Sequence, residues 1–218
     1  MSKLREQRIE MLKEMAEKTG GMITTSQIEK AGISRVLIPT FIDEGILVKE
    51  ARGIYYYADE FPDDLQIIQA NNPRVVYSYG TALYLWDMSD RTPHVWDVSV
   101  PKGFNATRVK KHNKNIRLHY INADKWSVGI TETLTPDGNK VRLYDKERCI
   151  IDLIKKKDKI DKQLYLQALH EYFNDRTNDH AQLIRYAKIF HIERPVRDYM
   201  YILTGLKEHT TDENTGAA

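Results

Sequence analysis

Residues 20–57 read GGMITTSQIEKAGISRVLIPTFIDEGILVKEARGIYYY, and this stretch decides the fold of the first third of the chain. Its two leading glycines end a helix predicted over residues 3–18, because glycine accepts the left-handed conformation at a helix end. The apolar residues of that first helix recur at helical spacing. Thr24 or Thr25 then caps a short second helix. The pattern therefore begins with helix, turn and helix.

A third helix and a hairpin follow. Ser34 is a natural N-cap for a helix over residues 35–44, whose apolar residues form one stripe. Residues 47–50 and 54–57 are strand-like, and Ala51-Arg52-Gly53 between them is typical of a hairpin turn. This order predicts a winged helix-turn-helix, a module that usually places one short helix in the major groove of DNA.

Pro39 fits this pattern badly. It lies about one turn into the third helix, where its missing N–H removes a backbone hydrogen bond. We therefore expect this helix either to begin late or to kink at the proline.

The winged helix predicts a set of DNA-contacting residues. Arg35 is the best single candidate for a guanine, because arginine can bind two acceptors of that base at once. Arg52, at the tip of the wing, could enter a minor groove or bind phosphate. The alternative is a structural winged helix that contacts proteins. The full predicted set is Arg5, Lys18, Thr25, Ser26, Lys30, Ser34, Arg35, Thr40, Lys49 and Arg52.

Composition limits the remaining classes. The 218 residues carry a net charge of only +2, and 41% are hydrophobic. No apolar run approaches the roughly 18 to 20 residues that span a bilayer. Cys149 is the single cysteine, which excludes an internal disulfide framework and a cysteine-rich zinc site. We expect a cytoplasmic protein with no membrane partner, no metal and no other cofactor.

Beyond residue 58, the acidic segment 58–64 is interpreted as a linker. Strand-like runs come next and helical runs afterwards, which favours an α+β fold. Predicted strands cover residues 75–77, 95–100, 116–121, 128–134 and 140–143. Predicted helices begin at Ser78, after Asp145, at Lys162, at Asp179 and at Pro195. The predicted organisation is a winged helix over 1–61, a C-terminal domain over 62–206 and a disordered tail over 207–218.

A basic run lies inside the second domain. Between Val98 and Asp124 the chain has no acidic residue. The run could bind phosphate groups or an acidic partner, or it could be a solvated, mobile loop. Its basic residues are Lys102, Arg108, Lys110, Lys111, Lys114 and Arg117.

The order of three motifs resembles a known family. The first is the wing ARGIYYY, residues 51–57. The second is VVYSYGTALYLWDMSDRTPHVWDVSVPKG, residues 75–103, and the third is VGITETLTPDGNKVRLYDKERCIIDLIKK, residues 128–156. Their order and spacing are similar to those of the AbiEi-type antitoxins of bacterial AbiE abortive-infection systems, which are type IV toxin–antitoxin pairs.

The resemblance implies a protein with two roles. Its winged helix would bind inverted repeats in double-stranded DNA of its own promoter and repress the operon. Its C-terminal domain would counteract a nucleotidyltransferase-like toxin without a stable complex. Nothing in the family pattern identifies antitoxin residues, so the basic run is nominated for that role.

Two alternatives stay open at this point. The chain could be a metal-dependent nuclease or nucleotidyltransferase that uses the winged helix for targeting, with Asp97 as its candidate carboxylate. However, Asp97 has no second carboxylate two residues away on its strand. The chain could also be a transcription factor that senses a small molecule through its second domain. We expect no enzyme activity.

Overall fold

The computed structural model describes residues 3–70, 72–112 and 115–204, apart from the side chains of residues 108, 111 and 112. The predicted tail, 207–218, lies outside the described residues. No helix in these ranges is both long enough and apolar enough to cross a membrane.

The N-terminal part packs short helices on a small antiparallel sheet. Its central strand is β3, in the order β1-β3-β2. Apolar residues from every helix and strand of this part, such as Leu12, Ile28 and Phe41, form one buried cluster. The elements are α1 (Lys3–Lys18), β1 (Met22–Thr24), α2 (Thr25–Lys30), α3 (Ile38–Asp43), β2 (Leu47–Ala51) and β3 (Ile54–Tyr57). This arrangement is the predicted winged helix-turn-helix.

The third helix begins late, which is one of the two outcomes expected from Pro39. Residues Arg35–Leu37 form a 3₁₀ turn, and the α-helix starts at Ile38. Pro39 then occupies the first turn of α3, where no intrahelical partner exists for its missing N–H. The predicted helix over 35–44 is therefore two shorter elements joined at the proline.

The C-terminal part contains a mixed sheet. The strand order is β6-β5-β4-β8-β7, with β5 parallel to β6 and β4 parallel to β8. The other neighbouring strands are antiparallel. The elements are α4 (Asp64–Ala70), β4 (Val76–Tyr77), α5 (Tyr79–Leu85), β5 (Trp96–Pro101), α6 (Thr107–His112), β6 (Ile116–Ile121), α7 (Ala123–Trp126), β7 (Ile130–Leu134) and β8 (Lys140–Tyr144).

Helices complete this part after the last strand. Asp145, Asp161 and Asp179 each cap a helix by accepting a hydrogen bond from the backbone N–H three residues later. The helices are α8 (Lys146–Lys155), α9 (Lys162–Asn174), α10 (His180–Phe190) and α11 (Glu193–Thr204). The mixed sheet and the helices before, between and after its strands confirm the predicted α+β class.

Several predicted boundaries were wrong. The last helix begins at Glu193 and not at Pro195, because proline is tolerated anywhere in a first turn. The strand predicted from 128 begins at Ile130, since Gly129 has a positive φ of 79°. The segment interpreted as a linker contains a buried residue, Asp63, and its last residue, Asp64, starts α4.

Asp63 is the centre of a junction between the two parts of the chain. Its carboxylate accepts hydrogen bonds from Thr135 Oγ1 at 2.6 Å and Asn139 Nδ2 at 3.0 Å, in the β7–β8 turn. Its backbone N–H donates to the Tyr56 hydroxyl of β3 at 3.1 Å. Gln66 Nε2 donates to the Thr19 carbonyl at the end of α1. The winged helix is thus held against the second sheet by buried polar contacts.

The Asp145 cap makes the stability of the fold depend on pH. Burial raises the pKa of this carboxyl from 3.8 to about 6, although Arg148 N and the Tyr186 hydroxyl donate to it. Because the folded-state pKa is the higher one, the folded protein loses stability as pH rises from about 4 through 6. Asparagine caps helices equally well and does not titrate. As pH rises from about 4 to 7, the free energy of unfolding of Asp145→Asn should increase relative to that of wild type. We expect the total increase to be on the order of 1–3 kcal/mol.

The measurement is urea unfolding at several pH values. Asp179→Asn changes an exposed cap in the same way and serves as the control. A difference between Asp145→Asn and wild type that stays constant with pH would contradict this prediction.

Candidate nucleic-acid interface

A cleft of about 430 Å³ separates the start of α2 and the third-helix region from the wing hairpin. Three of the predicted DNA-contacting residues, Thr25, Arg35 and Lys49, line it together. Its complete lining is Thr25, Arg35, Ile38, Pro39, Ile42, Asp43, Lys49 and Tyr55. The fold therefore brings residues that are up to 30 positions apart in the chain to one surface.

The start of α2 is fixed by a capping box. Thr24 Oγ1 accepts from Gln27 N at 3.3 Å, and Gln27 Oε1 accepts from Thr24 N at 2.8 Å. The next backbone N–H, that of Thr25, donates to the Gly53 carbonyl at 3.0 Å. Since Gly53 is in the wing turn, this bond attaches the tip of the wing to the start of α2. Arg52, the neighbour of Gly53, is exposed beside it.

The 3₁₀ turn presents the residues at the start of the third-helix region. Ser34 Oγ accepts from Val36 N at 3.4 Å and caps the turn. The Arg35 side chain is 74% exposed and lies 3.9 Å from a Glu29 carboxylate oxygen, a weak surface ion pair. Arg35 is thus available for a partner at small cost.

Val36 was missed by the sequence prediction. It is 77% exposed, a large fraction for an apolar side chain. Apolar side chains at this place in a winged helix can contact the methyl group of thymine. The signal in the sequence was Pro39, because a late helix start places residue 36 on the outside of a 3₁₀ turn.

The other predicted residues are distributed around this surface. Arg5 pairs with Glu44, the residue that caps the end of α3, and so connects α1 to the third helix. Four more residues are exposed at the end of α1, on α2 and on α3, namely Lys18, Ser26, Lys30 and Thr40. Their contribution to DNA binding stays a prediction.

Acidic groups lie among the cations of this surface. Glu29 pairs with Arg35, and Asp43 lines the same cleft as Lys49. Because sequence-independent affinity comes from cations that neutralise phosphates, the winged helix alone offers few such contacts.

Among the described residues of the basic run, Lys102 and Arg117 lie apart from each other. Lys102 follows the last residue of β5, whereas Arg117 lies opposite Asp97 near the start of the β5–β6 pair. About five residues of strand, roughly 16 Å, separate the two positions. Lys110 is exposed on α6. Lys114 and the side chains of Arg108 and Lys111 lie outside the described residues.

Arg117 and Asp97 instead contribute to a polar cluster. Arg117 Nη1 lies 3.4 Å from Asp97 Oδ1, and His119 Nε2 lies 2.8 Å from the same oxygen. Asp97 and Ser99 alternate along β5 on one side of the strand, and both are buried. Thr81 Oγ1 accepts from Asp97 N, and Ser99 Oγ donates to Ser78 Oγ. Thr81 of α5 and Ser78, its N-cap residue, therefore provide hydrogen-bond partners for polar groups of β5.

Two other candidate chemistries can be placed in the structure. Within residues 3–70, 72–112 and 115–204, no group of three or more His, Cys, Asp or Glu side chains could hold a metal ion. Cys149 is 1% exposed, and burial raises the pKa of its thiol well above the usual value, which disfavours a reactive thiolate.

Comparisons with known proteins agree with the winged helix. Residues 10–58 match a family model described as "Transcriptional regulator, AbiEi antitoxin". No curated protein matches the chain. A crystal structure of the RV2827C protein from Mycobacterium tuberculosis is similar, with a TM-score of 0.56 and 10% sequence identity. The match covers 87% of this chain and 79% of that one. At this identity the similarity concerns the fold alone.

The matched region begins within α1 and ends just after β3, so it includes the cleft and the wing. The resemblance to AbiEi-type antitoxins is thereby confirmed on the residues that form the candidate interface. Residues 10–58 are thus similar to the transcriptional-regulator domain of AbiEi antitoxins.

Proposed function

We propose that this protein is the antitoxin and autorepressor of a type IV toxin–antitoxin pair that acts in phage defence. Its winged helix binds inverted repeats in the promoter of its own operon. Its C-terminal domain, residues 62–206, counteracts a nucleotidyltransferase-like toxin without forming a stable complex with it. The chain acts as a regulator in the cytoplasm and catalyses no reaction.

The observation that carries the DNA-binding half is the shared cleft. Thr25, Arg35 and Lys49 line one surface, and the Thr25 N–H fixes the wing turn beside the start of α2. A helix N-terminus, an exposed arginine and a wing lysine on one face can contact phosphates and a base edge simultaneously.

Two substitutions separate base reading from phosphate binding. Arg35→Ala should weaken binding to the cognate promoter fragment by about 1–3 kcal/mol and reduce the preference over unrelated DNA. Lys49→Ala should weaken binding to all sequences alike and reduce the salt slope by about one. Fluorescence anisotropy with labelled promoter and scrambled duplexes, at several salt concentrations, measures both effects.

Lys188→Gln is the matched control, because Lys188 is exposed on α10 in the C-terminal part. The substitution removes one positive charge at a position that is far along the chain from the residues of the cleft. The recognition assignment fails if Arg35→Ala binds the promoter as tightly and as selectively as wild type.

The antitoxin half has its own test. Co-expression with the toxin encoded by the neighbouring gene should restore growth, and full-length Arg35→Ala should restore growth equally. This result is expected because Arg35 belongs to the winged helix and protection is assigned to the second domain. Loss of protection in Arg35→Ala at equal protein level would instead place antitoxicity in the DNA-binding surface.

A further inference from the structure

A second cavity, of about 520 Å³, lies in the C-terminal part. It is bordered by the start of α5, by β5 and β6, and by the segment from the end of α8 to the start of α9. Its polar residues include Asp97, Arg117, His119, Lys156 and Lys159. It is separate in the sequence from the winged-helix cleft and shares no residue with it.

His119 lies between Lys156 and Asp97 in this cavity. Lys156 Nζ lies 3.4 Å from His119 Nδ1, and His119 Nε2 lies 2.8 Å from Asp97 Oδ1. The imidazole thus connects the ammonium group of Lys156 to the carboxylate of Asp97.

The charges around the cavity do not balance. Arg117, Lys156 and Lys159 border it, with Asp97 and Asp161 as the carboxylates. Asp161 is already engaged, because its Oδ1 caps α9 at Leu164 N and lies 3.5 Å from Arg91 Nη1. Asp97 is therefore the carboxylate of the lining that faces Arg117, and Asp152, which pairs with Arg148, is the other negative group near Lys156. Burial lowers the pKa of the Lys156 ammonium, and the charges of Asp152 and Asp97 act against that change.

One side of the cavity is apolar and aromatic. The Tyr79 ring lies 4.2 Å from the His119 ring, between centroids, and Lys156 Nζ lies 4.3 Å from the Tyr79 centroid. Leu153, Ile160 and Leu164 contribute aliphatic surface. An apolar wall beside a cationic end is the arrangement that holds an amphipathic small molecule in one orientation.

The backbone around the cavity is adapted to this arrangement. Tyr79 has a φ of +46°, which is uncommon for a residue with a large side chain. At the next position a Cβ on Gly80 would lie 3.2 Å from Asp97 Oδ2. Glycine therefore leaves room for the carboxylate, and Tyr79 takes an unusual conformation at the edge of the same space.

We propose that this cavity binds a small organic anion. Its carboxylate or phosphate group would lie between Arg117 and Lys156, and its apolar body would pack against Leu153, Ile160 and Leu164. The proposal is independent of DNA binding, because none of these residues belongs to the winged helix.

Titration of the ¹⁵N-labelled full-length protein with simple probes tests the proposal. Phenyl phosphate and benzoate represent the two anionic groups, phenol supplies the ring without charge, and inorganic phosphate supplies charge without the ring. We expect saturable amide shifts near residues 79–80, 117–119 and 156–164 with at least one of the aromatic anions. Phenol and inorganic phosphate should bind at least about tenfold more weakly, since each lacks one half of the ligand.

Two variants and a control locate the binding. Lys156→Gln and Arg117→Gln should each weaken the aromatic anion at least about tenfold. The Arg117 side chain is 62% exposed, so Arg117→Gln should leave the fold intact even if Lys156→Gln destabilises it. Lys188→Gln should bind like wild type. The proposal is overturned if neither aromatic anion produces a saturable shift at concentrations up to about 10 mM. It is also overturned if phenol or inorganic phosphate binds as tightly as the aromatic anion. The same holds if Lys188→Gln weakens the aromatic anion as much as Lys156→Gln and Arg117→Gln do.

Discussion

Asp63→Ala is expected to lower the free energy of unfolding by about 3–5 kcal/mol. Asp63 is 2% exposed and accepts four hydrogen bonds. Its Oδ1 accepts from the backbone N–H groups of Leu65 and Gln66, at 2.9 and 3.2 Å, and so caps α4. Its Oδ2 accepts from Thr135 and Asn139 in the β7–β8 turn. Truncation removes the cap and leaves buried donors without an acceptor.

Thermal and urea unfolding measure this loss. For a chain of this length the expected fall in Tm is roughly 10 °C. Asp64→Ala is the matched control, because Asp64 is the adjacent carboxylate in the first turn of α4 but is exposed. Its substitution should change the free energy of unfolding by only about 0.5 kcal/mol. Equal effects of the two substitutions would show that the junction contributes nothing beyond the charge near α4.

Arg148→Met is expected to destabilise the protein by a similar amount, about 3–5 kcal/mol. Arg148 is fully buried, and its Nε lies 3.1 Å from Asp152 Oδ2. Its Nη1 donates to the Lys125 and Val128 carbonyls, each at 2.7 Å. Methionine fills part of the volume but leaves Asp152 as a buried carboxylate without its ion pair. Breaking one partner of such a pair is more harmful than replacing both.

The guanidinium also packs between two aromatic rings. Its carbon lies 4.1 Å from the Tyr144 centroid and 4.3 Å from the Phe190 centroid. This contact attaches α8 to the last residue of α10, so its loss adds to the effect of the broken ion pair.

A double-mutant cycle distinguishes the buried charge from lost packing. Burial raises the pKa of Asp152, and Arg148 acts against that rise. Without Arg148 the folded-state pKa of Asp152 rises further, so the variant should be less stable at pH 7 than at about pH 5 relative to wild type. Arg148→Met/Asp152→Asn should recover part of the loss at neutral pH. Arg185→Met, at an exposed position of α10, should change little. Absence of any recovery would assign the whole effect to packing.

Local chemistry in the sequence predicted much of the winged helix and most helix starts. Ser34 and Asp145 cap the elements that follow them, and of the two outcomes expected at Pro39, a late helix start or a kink, the structure shows the late start. Strand β1 was missed because three residues are too few to show alternation. The helix α4 was missed because the acidic residues before it resemble a linker. In the structure, the Asp63 carboxylate caps that helix and accepts a hydrogen bond from Thr135.

The second cavity was not predicted from the sequence, for a different reason. Asp97 has no carboxylate partner two residues away on its own strand, and its partners are His119 and Arg117 on a neighbouring strand. Lys156 reaches His119 from the end of α8. In the sequence, Lys156 is the middle one of three consecutive lysines, and cations are common at a helix C-terminus without any further role. Contacts among such distant residues depend on strand order, which periodicity in one sequence does not determine.

Gly20 shows how closely the two parts of the chain meet. It has a φ of +61°, and a Cβ at this position would lie only 1.6 Å from Asn139 Oδ1. Because Asn139 also donates to Asp63, the end of α1 is set directly against the β7–β8 turn. A winged helix attached in this way has little freedom to swing toward a displaced half-site. If two protomers bind an inverted repeat, changes in half-site spacing must be absorbed by bending of the duplex or by the contact between protomers.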